Sequence, residues 1–192
     1  MIYQSTHPFY RELEVPNYPG GVLKLIQPDL KYAEPSLQWV SDHEVIQYMG
    51  GDFENLSLAG EEKRIREILE NLDEYHWMIE LDGKVIGAAG INSIAEVSAK
   101  FGVKAGYPVI LIGDKNYWRK GIAYHALRAV LDWAFQEAGF ELIAARVLQE
   151  NIASWKNLEK LGFVADGVEP FDGLVNGKKS QWKRFKLNKE CN

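Results

Sequence analysis

The sequence predicts an α/β (α+β) domain, and three parts of the chain carry that prediction. Residues 109–112 are an apolar run, and residues 121–138, after a short cation-rich turn, have apolar side chains at helical spacing. Residues 141–148 are a second apolar run and lead into a helical pattern over 151–161. Residues 74–91 give a β-hairpin. Strands that alternate with helices are typical of an α/β fold.

The first quarter of the chain supplies shorter elements. Residues 1–21 contain three prolines and two glycines and predict an irregular extension, with one edge strand near 9–15. Residues 22–26 alternate as a strand does. Further predictions follow in chain order: two short helices over 34–48 that break at Ser41-Asp42, a turn at Gly50-Gly51, and an amphipathic helix over 59–72.

The hairpin turns at Asp82-Gly83, a strong turn dipeptide between residues 74–81 and 84–91. Residues 92–106 are longer than a tight hairpin needs, so we expect them to extend both strands or to form a flap. After the helix over 151–161, strands are expected at 162–167 and 180–187. The turns between these two strands are expected at Asp172-Gly173 and Asn176-Gly177.

The composition excludes several classes of protein. The 192 residues suit one domain, and 46% hydrophobic and 12% aromatic residues indicate a globular chain. A net charge of −5 argues against general binding to nucleic acid and is compatible with a cationic substrate. The single cysteine, Cys191, allows no internal disulfide. Without a signal peptide or an apolar run of membrane-spanning length, we expect a cytoplasmic protein that does not bind membranes.

The turn before the helix over 121–138 is the strongest functional signal. Arg119 and Lys120 precede Gly121, and the first turn of the helix offers unpaired N–H groups and a positive dipole end. These features predict a phosphate or pyrophosphate site, although a solvated turn has the same composition. Neither a P-loop nor a Gly-x-Gly-x-x-Gly segment after a strand is present, which argues against a P-loop nucleotidase and a dinucleotide-binding Rossmann fold.

The helix over 151–161 is the second signal. Asn151 is a natural N-cap, Ser154 lies one turn further on, and Gly162 is a natural C-cap. The simpler interpretation of this segment is a capped amphipathic helix without any contact to a ligand.

The two segments together resemble the GCN5-related N-acetyltransferase (GNAT) family. Trp118-Arg-Lys-Gly-Ile-Ala123 is similar to the family's acyl-coenzyme A pyrophosphate loop, and the segment that starts at Asn151 and ends in Glu159-Lys-Leu-Gly-Phe163 is similar to its following helix and strand. The form Trp-x-Lys-Gly-Ile-Ala, with Leu158 where many members have a tyrosine, resembles the branch of the ribosomal-protein alanine N-acetyltransferases. The resemblance covers residues 22–187, which makes 1–21 an extension and 188–192 a tail.

The resemblance implies the fold, the cofactor and its contacts. The fold would be a mixed central sheet of about six to seven strands flanked by helices, with the fourth and fifth strands splayed. Acetyl-coenzyme A (acetyl-CoA) would be the co-substrate, with its pantetheine arm paired to the fourth strand like an extra strand, and no metal is expected. The expected cofactor contacts are Leu111, Ile112, Gly113, Trp118, Arg119, Lys120, Gly121, Ile122, Ala123, Asn151 and Ser154.

The expected reaction is direct transfer of an acetyl group from the thioester to a primary amine. The expected catalytic residues are Ser154 and Asn151. Because Leu158 replaces the tyrosine acid of many members, Ser154 is the best remaining donor to the leaving thiolate, and Asn151 is expected to contact the pantetheine amides, to cap its helix, or to do both. No general base is assigned, and Asp114 is expected to be a turn residue. The backbone N–H of Trp118 is expected to face phosphate, since its ring cannot replace the usual cation.

Two functions remain open for such a fold. The first is an N-acetyltransferase that acts on a peptide N-terminus or a small amine, as a monomer or a homodimer. The alternative is a non-catalytic acyl-CoA sensor or interaction module, because a fold does not fix a function. By analogy with the family, residues 29–56 and 92–106 are expected to line the acceptor groove.

Overall fold

The computed structural model describes residues 11–49, 56–175 and 177–189. Within these ranges the chain forms the following strands and helices, in chain order: β1 (Leu13–Glu14), β2 (Leu23–Ile26), α1 (Ala33–Val40), α2 (His43–Ile46), α3 (Leu58–Glu70), β3 (Tyr75–Leu81), β4 (Lys84–Asn92), α4 (Ile94–Phe101), β5 (Ala105–Ile112), α5 (Ile122–Gln136), β6 (Leu142–Leu148), α6 (Ile152–Lys160), β7 (Val164–Val175) and β8 (Lys178–Asn188). None of these helices is long and apolar enough to cross a membrane.

The eight described strands form one mixed sheet in the order β1-β2-β3-β4-β5-β6-β8-β7. β5 and β6 are its parallel pair, and they bond only through Ala105↔Leu142 and Gly106↔Ile143 before they separate. The predicted mixed sheet and its splayed central strands are therefore confirmed. The eighth strand is β1, which the N-terminal extension adds to the edge of β2.

The sheet carries its core on both faces. On one face α5 buries the predicted apolar stripe, and the ring of Trp133 packs edge-on against Tyr75 and Trp77, with centroids 4.6 and 4.9 Å apart. On the other face, α1 and α2 cover β2 and β3, where Trp39 packs near Met78. Different helices therefore cover the two faces of the sheet at the place where β5 and β6 separate.

Residues 92–106 form neither a flap nor an extended hairpin, so that prediction is wrong. β4 ends at Asn92, and α4 then packs Val97 fully buried against the paired ends of β5 and β6. The helix ends at Gly102, whose φ of 72° suits a C-cap. The apolar residues of this segment recur at helical spacing, and this pattern could have predicted the helix.

The expected turn at Asp172-Gly173 is also wrong. Both residues lie inside β7, beside a shift in its pairing register with β8 between Phe171 and Leu174. An irregularity inside a strand uses the same residue types as a turn, which is why the sequence pattern misled. The expected turns at Gly50-Gly51 and at Asn176 lie outside the described residues, while Gly177 lies in a turn with a φ of 75°.

Candidate functional site

A gap opens beside β5 where β6 diverges from it. Every residue of β5 from Tyr107 to Ile112 is half-buried, although β5 lies in the middle of the sheet. Residues in the middle of a sheet are usually buried on both sides, so the partial exposure of this segment shows that no strand covers one edge of β5. A ligand can occupy the position of the missing strand. α4 closes the end of the gap at which β5 and β6 still pair.

The backbone of β5 presents hydrogen-bonding groups to this gap. Gly113 N–H donates to the Ile86 carbonyl of the β4 side at 2.9 Å. Because bonding directions alternate along a strand, the backbone groups of Leu111 face β4 while those of Ile110 and Ile112 face the gap. Ile110 is not among the cofactor contacts expected from the sequence, although it lies two residues before Ile112 and therefore faces the same side of the strand.

Trp118 holds the end of this strand. Its indole Nε1 donates to the Ile112 carbonyl at 2.7 Å, and its ring packs against the cluster around Trp39 and Met78. The prediction that the backbone N–H of Trp118 faces phosphate is wrong, because this N–H donates to the Lys115 carbonyl at 3.1 Å. Trp118 therefore satisfies the gap-facing carbonyl at the carboxyl end of β5 with a hydrogen bond.

The turn after β5 forms a nest of backbone N–H groups. Arg119 and Gly121 both adopt left-handed conformations, with φ of 61° and 76°. Within the described part of the chain, the N–H groups of residues 119–123 donate to no acceptor, and α5 begins at Ile122. Consecutive N–H groups at such a turn and a helix N-terminus bind anions.

Two exposed cations flank this nest. Arg119 and Lys120 form no ion pair with any described residue, and Lys120 Nζ lies 5.1 Å from the ring centroid of Tyr117. Gly121 is exposed, and a Cβ placed on it would meet only His125 Cδ2, at 3.9 Å. The nest is thus open, positively charged and accessible to a phosphate group.

The N-terminus of α6 lies at the same edge of the sheet as that of α5, because β5 and β6 are parallel and each precedes its helix. Asn151 Oδ1 accepts from the Ser154 N–H at 3.2 Å, so the predicted N-cap is confirmed. The half-buried Ser154 hydroxyl and the Asn151 amide nitrogen donate no hydrogen bond to a described residue. Both groups remain available to a ligand.

Leu158 and Asp114 have structural positions. Leu158 is 3% exposed and belongs to the core under α5. Asp114 caps the short turn at 115–117 and accepts from Lys84 Nζ at 2.7 Å. Burial raises the pKa of Asp114, but the hydrogen bonds from Lys84 and Asn116 outweigh it and hold this pKa below its usual value. A carboxylate paired in this way is a poor general base, as expected for a turn residue.

Among the described residues, no group of three or more His, Cys, Asp or Glu side chains is arranged to hold a metal ion. The site therefore consists of backbone N–H groups, two cations and the polar residues that begin α6. This set suits a ligand with a diphosphate and an extended amide arm.

Comparisons with known proteins agree with this geometry. The family model described as an acetyltransferase (GNAT) domain matches residues 23–164. The chain is 33% identical to the probable N-acetyltransferase YjcK of Bacillus subtilis (strain 168) over 129 residues, which cover 63% of this chain and 67% of that protein.

Two solved structures are similar in fold. Mycobacterium smegmatis RimJ in complex with CoA-disulfide gives a TM-score of 0.79 at 19% identity, covering 95% of this chain and 90% of RimJ. Vibrio cholerae spermidine N-acetyltransferase in complex with CoA and spermine gives 0.76 at 18% identity, covering 87% and 95%. The family model spans most of the chain and describes the domain that holds the gap and the nest, so this protein belongs to the GNAT family of N-acetyltransferases.

Proposed function

We propose that this protein transfers an acetyl group directly from acetyl-CoA to a primary amine. One observation carries the proposal: the open edge of β5 leads into the nest of N–H groups at residues 119–123. A ligand with an extended amide arm that ends in a diphosphate would occupy both features at once. The CoA ligands of the RimJ and spermidine N-acetyltransferase structures support this identification.

In this arrangement the diphosphate binds the nest and the pantetheine arm runs along β5 toward the closed end of the gap. Residues 107–112 of β5 offer an edge of about 20 Å at the usual rise of an extended strand. The thioester then lies between β5 and β6, where the Ile110 N–H faces the gap. That N–H is placed to stabilise the oxyanion that forms on the thioester carbonyl.

The chemistry needs no covalent enzyme intermediate. The neutral amine forms the new C–N bond, the C–S bond breaks, and the amine proton passes to water. The Ser154 hydroxyl donates to the departing thiolate, and the Asn151 amide binds the pantetheine arm. The α-amine of a peptide, with a pKa of about 7.7–8.0, needs less help from a base than a lysine side chain does at about 10.4, so an α-amine of a peptide or of a small molecule is favoured over a lysine side chain as the acceptor.

Two measurements test this proposal. Acetyl-CoA at 100 times its dissociation constant should stabilise the fold by about 2.7 kcal/mol and raise Tm accordingly. Thiol release from acetyl-CoA should then depend on an added amine, in a panel of amino acids, amino amides, a peptide with a free N-terminus and spermidine. Binding without thiol release for any amine would favour a non-catalytic acyl-CoA sensor, and the absence of a Tm shift would refute both functions.

A further inference from the structure

Arg146 lies beside the gap on the sheet face opposite α5. Its neighbour Ala145 packs toward α5, while Ala144 packs toward α4, so the alternation along β6 puts Arg146 on the α4 side. When the register Ala105↔Leu142 is continued, Arg146 lies across the gap from Val109. The cofactor helices α5 and α6 occupy the other face, which leaves this face for the acceptor.

Aromatic rings hold the guanidinium of Arg146 in place. Its Cζ lies 5.0 Å from the ring centroid of Tyr107 on β5 and 6.0 Å from that of Trp182 on β8. The ring of Phe171 in turn packs edge-on against Trp182, with centroids 5.2 Å apart. Contacts with ring faces stabilise a guanidinium and leave its N–H groups free to bind in its own plane.

The charge of Arg146 is incompletely compensated. Its nearest carboxylate is Glu169, whose Oε1 lies 3.5 Å from Nη1, and Arg184 shares the same carboxylate at 3.6 Å. Arg184 also donates two hydrogen bonds to the Asp166 carbonyl, at 3.1 and 2.8 Å. The guanidinium of Arg146 donates none to any residue in the described part of the chain, and its side chain is 44% exposed.

We propose that Arg146 binds a carboxylate carried by the acceptor, so that the acceptor is a small amine of the amino-acid type. This inference rests on the proposed acetyl transfer. A guanidinium with free, planar N–H groups recognises a carboxylate through two parallel hydrogen bonds. Two arginines that share one carboxylate leave a net positive charge beside the gap, and this charge disfavours a polyamine. In such an acceptor the carboxylate lies close to the reacting amine, because Arg146 is beside the gap in which the thioester is proposed to lie.

The test compares wild type with Arg146→Gln, Arg146→Lys and the control Arg128→Gln, which removes an exposed cation from α5. Thiol release is measured with L-alanine and L-alaninamide, L-glutamate and its α-amide, and spermidine. We expect the kcat/KM ratio of each acid to its amide to fall by at least about 10-fold in Arg146→Gln. The same ratio should fall by a smaller factor in Arg146→Lys, and it should stay unchanged in Arg128→Gln.

A ratio that stays constant in Arg146→Gln, or an equal loss for every acceptor, would overturn the inference. Faster turnover of spermidine than of the amino acids in wild type would do the same. If no amine releases thiol, a binding measurement tests the carboxylate site without catalysis. The Tm of the protein with CoA is then compared in the presence of N-acetyl-L-alanine and of N-acetyl-L-alaninamide. A shift by the acid alone that disappears in Arg146→Gln supports the carboxylate site although catalysis fails, and no difference refutes it.

Discussion

The hydroxyl of Tyr18 donates a hydrogen bond to the backbone carbonyl of Lys120, 102 residues further along the chain, at 3.3 Å. Lys120 lies between the two left-handed residues of the nest, Arg119 and Gly121. A non-glycine residue in that conformation costs about 1–3 kcal/mol and needs support from its surroundings. The ring of Tyr18 also packs edge-on against His125 of α5, with centroids 5.4 Å apart. The N-terminal segment thus supports the turn that we propose to bind phosphate.

Removal of this hydrogen bond should weaken cofactor binding. We expect Tyr18→Phe to raise the Kd for CoA about 5-fold, since a neutral hydrogen bond contributes about 1 kcal/mol, while kcat stays unchanged. Isothermal titration calorimetry and steady-state kinetics measure the two quantities. Tyr124→Phe is the control, because the Tyr124 hydroxyl makes no hydrogen bond to a described residue. Equal effects of both variants would remove the proposed role of Tyr18.

Gly121 combines a left-handed conformation with an open site. A side chain there should block a phosphate group, so Gly121→Val should weaken CoA binding strongly. The strain of a valine at positive φ is a separate effect, and Gly139→Val controls for it, because Gly139 has a φ of 74° and nothing within 4 Å of its missing Cβ. We expect similar losses of Tm in both variants and a loss of CoA binding in Gly121→Val alone. Normal CoA binding by Gly121→Val would place the phosphate site elsewhere.

Ser154 is the proposed donor to the leaving thiolate. Since a free thiol has a pKa of about 8.5, the thiolate is already a fair leaving group, and we expect Ser154→Ala to lower kcat by at most about 100-fold. The Kd for CoA should change far less, because a ground-state contact of a neutral hydroxyl contributes about 1 kcal/mol. Matched kinetic and binding measurements separate the two effects. An unchanged kcat would reduce Ser154 to a residue of the helix.

Glu61 makes stability depend on pH. Its carboxylate is 5% exposed and accepts from Ser36 Oγ and Arg64 Nη2, each at 2.6 Å. Burial raises the pKa of Glu61, but the hydrogen bonds from Arg64 and Ser36 outweigh burial, and the pKa lies below its usual value. A lowered pKa in the folded state gives stability that is present above the unfolded pKa of about 4.3 and is lost as pH falls through the folded value.

Glu61→Gln should therefore lower the free energy of unfolding by about 1–3 kcal/mol at neutral pH, and this difference should shrink below about pH 4. Urea unfolding across this pH range measures it. The control Glu62→Gln removes a partly exposed ion pair with Arg66 and should cost less than about 0.5 kcal/mol. A constant difference at every pH would show that Glu61 acts through packing rather than through its charge.

Features within one local segment could be predicted from the sequence. The cap at Asn151, the hairpin at Asp82-Gly83 and the cation-rich turn before α5 each depend on residues that are neighbours in the chain. Local backbone preferences and hydrogen bonds decide such features, so residue type and spacing suffice. The errors at 92–106 and at Asp172-Gly173 arose where one local pattern fits two structures and packing selects between them.

The sequence by itself determined most of the strands and helices, the cation-rich turn before α5 and the family. The tertiary structure decided which backbone groups of β5 face the gap, because that depends on its register with β4. It also decided the contacts of Tyr18 with Lys120 and of Arg146 with Tyr107, which join residues far apart in the chain. Such contacts follow from how whole strands and helices pack, and no local spacing encodes them.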